Sequence, residues 1–220
     1  MDAIDAPAEL VALRVRVLDA ERIADDDRDA MVMRPLAGRW VAVLYAIRDT
    51  DTQIFERMVE RSELAALGGE EVAFAAAVAN GRAFAPETVD VMRVTDDCAL
   101  FFFHSPDDPN LSGRVLDLDS LIDRVAMSDD ARRLVDLSRG AIVGIPMEVL
   151  LVVFFVATGD VDQGAFSVAH NTVTNYDDDD DEAVAPEVYW VHDGRYEPIA
   201  FEVDDDGLPD DLRVPAGLTR

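Results

Sequence analysis

The sequence predicts an α+β fold in which helices and antiparallel hairpins surround one core. Half of the 220 residues are hydrophobic, which is too large a share for an intrinsically disordered chain. Short apolar runs flanked by turn residues predict strand pairs, and they mix with helix-like segments without a steady strand–helix–strand rhythm. We therefore expect a single α+β domain over residues 1–203, followed by an acidic, flexible tail over residues 204–220.

The first part of the chain predicts two helices and a strand. Apolar residues recur near helical spacing, so an amphipathic helix is expected from Ala8 to Ile23, followed by a solvated acidic loop at Asp25–Asp29. The run from Trp40 to Ile47 is rich in β-branched and aromatic residues, which predicts a buried strand. Ser62 is expected to cap a short helical turn, and the alanine-rich segment from Glu70 to Asn80 is predicted to be a helix.

The middle of the chain contains the clearest hairpin signal. Two apolar runs, Thr88–Val94 and Cys98–His104, flank the turn residues Thr95-Asp96-Asp97. The stretch from Leu116 to Leu137 alternates apolar and charged residues at helical spacing. It predicts one or two helices with an interruption near Ser128.

Two further strand pairs follow. The runs Ala141–Ile145 and Val149–Val156 are apolar throughout, which predicts a strand pair buried on both faces. The runs Val188–His192 and Arg195–Ala200 flank Asp193-Gly194, a sequence typical of a two-residue hairpin turn.

Charge excludes several classes of function. The chain has 46 acidic and 19 basic residues, a net charge of −27, and all of its basic residues are arginine. The absence of lysine excludes Schiff-base enzymes, P-loop phosphate binders and Ser-Lys hydrolases. The negative charge disfavours binding to nucleic acid and to anionic membranes, whereas it suits a basic protein partner. Biased nucleotide composition and adaptation to high salt are alternative origins of this charge.

The remaining composition predicts a cytoplasmic protein. A single cysteine, Cys98, excludes an intrachain disulfide, and the first residues lack the pattern of a signal peptide. The longest apolar run, Ala141 to Ala157, is short for a membrane span and is interrupted by Pro146 and Glu148.

One motif suggests an enzyme. Asp49-Thr50-Asp51 follows a hydrophobic strand, as in the nucleophile loop of haloacid-dehalogenase phosphatases. In that chemistry the first aspartate attacks phosphorus and the second acts as acid and base. Gln53 occupies the position that should be threonine or valine, and no lysine can neutralise the phosphoryl group. A polar turn after a buried strand is therefore the favoured interpretation.

Other candidate sites are weaker. Cys98 and His104 would lie roughly 20 Å apart along one strand, too far to form a catalytic pair. His104, His170 and His192 are too scattered in sequence to predict a metal site. The acidic runs lack the residues of an EF-hand loop. We expect no catalytic residue, cofactor or metal from these patterns.

The order of several segments resembles the YtpQ-like bacterial family of unknown function. These segments are the strand ending in Ile47-Arg48-Asp49, the sequence SELAALGGEE leading into a helix that closes at Asn80, GAIVGIP before LLVVFFV, and VYWVHDGRYEPI. The resemblance extends over roughly residues 39–200. Members of that family carry Arg-Asp after the proline, where this chain has Met147-Glu148. The resemblance implies a compact α+β bacterial protein and supplies no catalytic residue.

These observations favour a non-enzymatic protein that acts by contact with a basic protein, for example as an immunity protein or inhibitor. The alternative is a metal-assisted phosphoester hydrolase that uses Asp49 and Asp51.

The charge generates a prediction about salt. Folding brings 46 carboxylates together, and their mutual repulsion opposes the compact state. The Debye length falls from about 10 Å at 0.1 M salt to about 3 Å at 1 M. The melting temperature should therefore rise substantially between low salt and 1 M NaCl, and KCl should act similarly. Thermal melts at four salt concentrations measure this, and a flat or falling melting temperature would mean that paired charges dominate.

Overall fold

A computed structural model describes residues 12–49, 54–83, 86–96, 98–106, 108–205 and 207–218. The described residues form eleven strands and five α-helices, and all strand pairs are antiparallel, so the predicted α+β fold class is confirmed. The strands are β1 (Leu13–Asp19), β2 (Met33–Ala37), β3 (Trp40–Asp49), β4 (Ile54–Met58), β5 (Thr88–Arg93), β6 (Ala99–His104), β7 (Ala141–Met147), β8 (Leu150–Phe155), β9 (Val188–His192), β10 (Arg195–Val203) and β11 (Pro209–Arg213). The α-helices are α1 (Asp25–Ala30), α2 (Glu70–Gly81), α3 (Leu118–Arg124), α4 (Asp129–Arg132) and α5 (Val161–Asn175). Four 3₁₀ segments complete the secondary structure: Ala20–Arg22, Arg61–Glu63, Pro109–Asp117 and Val156–Thr158.

The first sheet has four strands, and β3 is its centre. Strand β1 pairs with residues 40–46 of β3 along one edge, while β2 and β4 pair with successive parts of the other edge. Alternate residues of β1 and β3, among them Val15 and Leu44, are buried on one face. Helix α2 covers that face through Phe74 and neighbouring alanines, because its bulkiest apolar side chain points at the sheet.

The second sheet has seven strands in the order β11-β10-β9-β7-β8-β6-β5. Helix α5 packs on one face, where Val152, Phe154 and Val168 are buried together. The segment from the 3₁₀ helix Pro109–Asp117 to α4 covers the opposite face, where Leu121 meets residues of the strands. Because both faces are covered, every residue of β8 is buried, as its uninterrupted apolar sequence predicts.

The 3₁₀ helix Pro109–Asp117 joins the two sheets. It runs along the outer edge of β1, where the Val17 backbone N–H donates to Ser112 Oγ at 3.0 Å. Gly113 packs so closely against this strand that an added Cβ would lie 2.0 Å from the Val15 carbonyl oxygen. A glycine is therefore required for this approach, and the contact protects an edge that would otherwise be open.

Aromatic side chains form a second joint between the sheets. The rings of Trp40 from β3 and Tyr189 from β9 lie 4.4 Å apart, and Tyr196 lies 6.4 Å from Trp40 in an edge-on arrangement. Gly38 lies directly beneath the Tyr189 hydroxyl and has a φ of +49°, which a side chain would strain. The turn before β3 is thereby held against the second sheet.

The predicted amphipathic helix from Ala8 to Ile23 is wrong. Residues 13–19 form β1 and residues 20–22 a 3₁₀ turn, while residues 8–11 lie outside the described residues. The sequence LRVRVLD alternates apolar and charged side chains, so its period of two places Val15 and Val17 on one face and Arg16 on the other. Asp25–Asp29, expected to be a loop, lies in the short helix α1.

The turn predicted at Ser62 differs in its cap. The residue that caps the 3₁₀ segment Arg61–Glu63 is Glu60, whose side chain and that of Glu63 form a reciprocal capping box. The strand, helix and hairpins predicted at β3, α2, β5–β6, β7–β8 and β9–β10 are confirmed. The hairpin turn has a φ of +47° at Asp193 and +71° at Gly194, as the two-residue turn requires.

The segment expected to be a flexible tail, residues 204–220, is ordered over much of its described part. Residues 209–213 form β11, which pairs with β10, and Leu218 is fully buried. Its carbonyl accepts a hydrogen bond from Arg139, and Gly217 packs on the Trp190 ring. The acidic composition of this segment gave no indication of these few contacts.

Within the described residues, none of the helices is long and apolar enough to cross a membrane.

The buried position of β8 generates a prediction. Val152 is fully buried between the sheet and α5, so Val152→Asp places an unpaired charge in the core, at a cost of several kcal/mol against a total stability of about 5–15 kcal/mol. Soluble expression of this variant should be lost. Val203→Asp is the control, because Val203 also lies in a strand but is 50% exposed. Soluble, folded Val152→Asp protein would contradict this assignment of the core.

Candidate functional site

Three charged side chains meet where the two sheets join, and we call them the ionic centre: Arg16, Glu56 and Glu148. The Arg16 guanidinium pairs with Glu56 and lies 3.5 Å from Glu148 Oε2. Its Nε donates to Asn110 Oδ1 at 3.2 Å, and its Cζ atom lies over the Tyr45 ring, 4.3 Å from the ring centre. Arg16 is buried, so these contacts replace its hydration.

Backbone geometry brings these side chains together from distant parts of the chain. Arg16 projects from the face of β1 opposite Val15, because successive strand residues alternate in direction. Glu148 lies in the turn between β7 and β8. Its carbonyl accepts from the Ser112 N–H, and its own N–H donates to the Glu182 carbonyl, each at 2.9 Å. The turn is therefore fixed on both sides.

The ionic centre has one cation for two carboxylates. The pKa of Glu148 is raised to about 7, chiefly by burial and also by the nearby charges of Glu182 and Glu56, while Arg16 and Arg22 oppose this rise. Burial also raises the pKa of Tyr45 to about 12, so its phenol stays neutral. Glu148 is therefore a carboxyl group that can gain or lose a proton near neutral pH.

An exposed acidic surface lies beside the ionic centre. We call it the acidic face, and it consists of eleven carboxylates in two segments: Glu21, Asp25, Asp26, Asp27, Asp29, Asp177, Asp178, Asp179, Asp180, Asp181 and Glu182. Nine of these residues are exposed, and the other two are half-buried. The first segment includes α1, and the second is the loop between α5 and β9.

Arginine side chains hold the two acidic segments together. Arg22 donates to the carbonyls of Asp178, Asp180 and Ala183 at 3.2, 2.6 and 2.8 Å. Arg28 donates to the carbonyls of Ile23 and Ala20, which orders the approach to α1. These donors are directed largely at backbone oxygens, so they neutralise few of the carboxylates around them.

A buried ion pair fixes the start of the first acidic segment. Asp19 at the end of β1 is buried and pairs with two nitrogens of Arg39, and it also accepts the Glu21 N–H at 2.8 Å. This pairing raises the pKa of Arg39. Glu187 lies 4.0 Å from Arg39, and burial raises the pKa of its carboxyl group.

The residues of the possible phosphatase motif lie at the edge of the described structure. The Asp49 backbone ends β3 and pairs with Ile54, but its side chain and the whole of Asp51 lie outside the described residues. The hydrolase alternative stays a prediction.

The cysteine and histidines occupy separate places. Cys98 is fully buried before β6, and burial raises the pKa of its thiol, while His104 lies at the far end of that strand, 4.0 Å from Asp90. His170 lies on α5, and His192 lies on β9, where its ring stacks on Trp190 at 3.7 Å and its Nε2 bonds Glu197 at 2.8 Å. Among the described residues, no cluster of three or more histidine, cysteine or acidic side chains could hold a metal ion.

The ionic centre was not among the sites predicted from the sequence. One signal was present, because Glu148 is the only charged residue between Ala141 and Ala157. A charge in a buried run needs a partner. That partner, Arg16, lies 132 residues away, in a segment predicted to be a helix, so the pair could not be deduced from spacing.

Comparison with known proteins gives no family. No protein-family model matches the chain, and neither the curated proteins nor the solved structures contain a significant match. The segments that carry the YtpQ-like resemblance lie at the end of β3, in and before α2, in β7 and β8, and in the β9–β10 hairpin. The resemblance stays a prediction.

The ionic centre generates a prediction about stability. Arg16→Met removes the cation beside the largely buried Glu148 and the more exposed Glu56, and it should lower the free energy of unfolding by about 3 kcal/mol at pH 8. Adding Glu148→Gln removes the more deeply buried carboxylate and should restore at least about 1 kcal/mol. Urea unfolding measures both changes. Arg133→Met, at an exposed pair, should change stability by less than about 0.5 kcal/mol. If the losses of stability caused by Arg16→Met and by Glu148→Gln simply add in the double variant, the two residues are not coupled. That result would contradict this prediction.

Proposed function

We propose that this protein acts without catalysis, by binding a basic protein through the acidic face. The observation that carries the proposal is the arrangement of this face, in which two acidic segments from distant parts of the chain are joined by the contacts of Arg22 with the 178–183 backbone. An inhibitor or immunity protein with a basic target is one concrete form of this function.

The exposure of the carboxylates supports binding. The side chain of Asp25 is 93% exposed and that of Glu21 is 72% exposed, so an incoming cation can reach both carboxylates. Each carboxylate also has an arginine nearby, because Arg28 lies 3.3 Å from Asp25 and Arg39 lies 3.4 Å from Glu21. Opposite charge on two partners steers their encounter and selects orientation more than it adds affinity. The partner would carry clustered arginine or lysine side chains, and its affinity would fall as salt rises.

The backbone behind the face also supports binding. Residues 183–185 are held against β7 by the bridge between Met147 and Ala183 and by the bond from the Val184 N–H to the Pro146 carbonyl at 2.9 Å. Ala183 and Val184 are buried. A surface whose backbone is already ordered loses less conformational entropy on binding.

Affinity purification from the native host at low ionic strength tests the proposal. The face variant replaces Asp26, Asp29, Asp179 and Asp181 with asparagine. The control variant makes the same change in charge on the β10–β11 hairpin, with Glu202→Gln, Asp205→Asn, Asp210→Asn and Asp211→Asn. Both sets are exposed. A basic protein should be retained by the wild type and the control but lost, by at least about tenfold, from the face variant.

Two outcomes would contradict this function. One is that no basic protein is retained, or that all three proteins retain it equally, which would leave the acidic face a hydrated surface. The other is turnover of phosphate esters with Mg²⁺ that Asp49→Asn abolishes, because that result would favour the hydrolase alternative.

A further inference from the structure

We propose that Glu148 is a pH-sensitive switch that controls how firmly residues 177–185 are held at the junction of the two sheets. When Glu148 is protonated the segment is firmly held, and when Glu148 is ionised the segment opens more often. The switch itself stands on the contacts of Glu148, and only its consequence for partner binding rests on the proposed function.

Glu148 is directly connected to this segment. Its N–H donates to the Glu182 carbonyl, and the next bonds along the junction are from the Val184 N–H to the Pro146 carbonyl and from the Ala185 N–H to the Ile145 carbonyl, at 3.3 Å. The side chain of Glu148 therefore belongs to the ionic centre. Its backbone belongs to the set of hydrogen bonds between residues 145–148 and 182–185, which we call the junction. A change in the charge of Glu148 acts where the segment is attached.

The charges around Glu148 come from every element that packs near it. They are Arg16 on β1, Glu56 on β4, Arg22 on the 3₁₀ turn after β1, and Glu182 in the segment itself, and the neutral phenol of Tyr45 on β3 faces the same centre. Arg16 already pairs with Glu56, which is the shorter of its two contacts with carboxylates. When Glu148 loses its proton to water, its largely buried negative charge shares this one cation with the more exposed Glu56 and also repels Glu182.

The direction of the pH effect follows from linkage. The pKa of Glu148 is about 7 in the held state, and we expect an ordinary value near 4.5 in an open, solvated state. The held state therefore binds the proton more tightly, and its advantage is complete below pH 4.5. As the pH rises from 4.5 to 7, this contribution to the stability of the held state is lost. Above pH 7 the balance between the held and open states no longer changes with pH. Acidification should hold the segment, and neutral pH should release it.

Amide hydrogen exchange of the full-length protein tests the switch without any partner. The amides of Glu148, Val184 and Ala185 report the junction, and amides in the centre of β8 are the internal reference. After correction for intrinsic exchange rates, protection of the three junction amides in the wild type should fall at least about tenfold between pH 5 and pH 7.5. Glu148→Gln, which stays neutral and keeps a carbonyl oxygen for Arg16, should show no such fall.

Two further variants make the experiment specific. Glu71→Gln makes the same chemical change at an exposed position on α2 and should keep the wild-type profile. Glu182→Gln removes one of the charges that repel the ionised Glu148. Protection of the junction amides should therefore fall less in this variant than in the wild type, and the fall should be complete at a lower pH. Equal profiles for the wild type and Glu148→Gln, or for the wild type and Glu182→Gln, would overturn the switch. Those results would not contradict the proposed binding function of the acidic face. Failure to purify a partner would likewise not contradict the switch.

Discussion

Burial of β7 and β8 on both faces is the constraint on which the rest of this structure depends. A strand pair with no polar face must be covered twice, by α5 on one side and by the segment from Pro109 to Arg132 on the other. The covering segment begins with the 3₁₀ helix that also protects the edge of β1. The need to bury one strand pair therefore also determines how the first sheet is attached.

The excess of acidic residues is compatible with this core because most of the carboxylates lie at its periphery. Carboxylates near the interior are paired with arginine, as at Asp19 with Arg39 and at the ionic centre. A guanidinium presents several donors in one plane, so a single arginine can bridge a carboxylate, an amide oxygen and an aromatic ring, as Arg16 does. With no lysine in the chain, every such contact uses this geometry.

The ionic centre connects the stability of the core with the surface. Arg16 and Glu148 lie at the joint of the sheets, and the backbone of Glu148 is hydrogen-bonded to the loop that carries six of the eleven carboxylates of the acidic face. A buried ion pair of this kind adds little net stability, since desolvation offsets most of the Coulomb attraction. Its clearer effect is to make the joint sensitive to the charge of one carboxyl group.

The sequence by itself determined the α+β class, the β5–β6 and β9–β10 hairpins, the buried pair β7–β8 and helix α2, because turn residues and hydrophobic periodicity act over a few neighbouring residues. Residues 13–19 have an alternating pattern as well as near-helical spacing, and the tertiary structure decided between the two, since the strand gains a partner along β3 and a cover from α2. It also decided that Arg16 meets Glu148. That contact depends on the joining of two sheets, and the free energy of burying two charges together has no local signature in the chain.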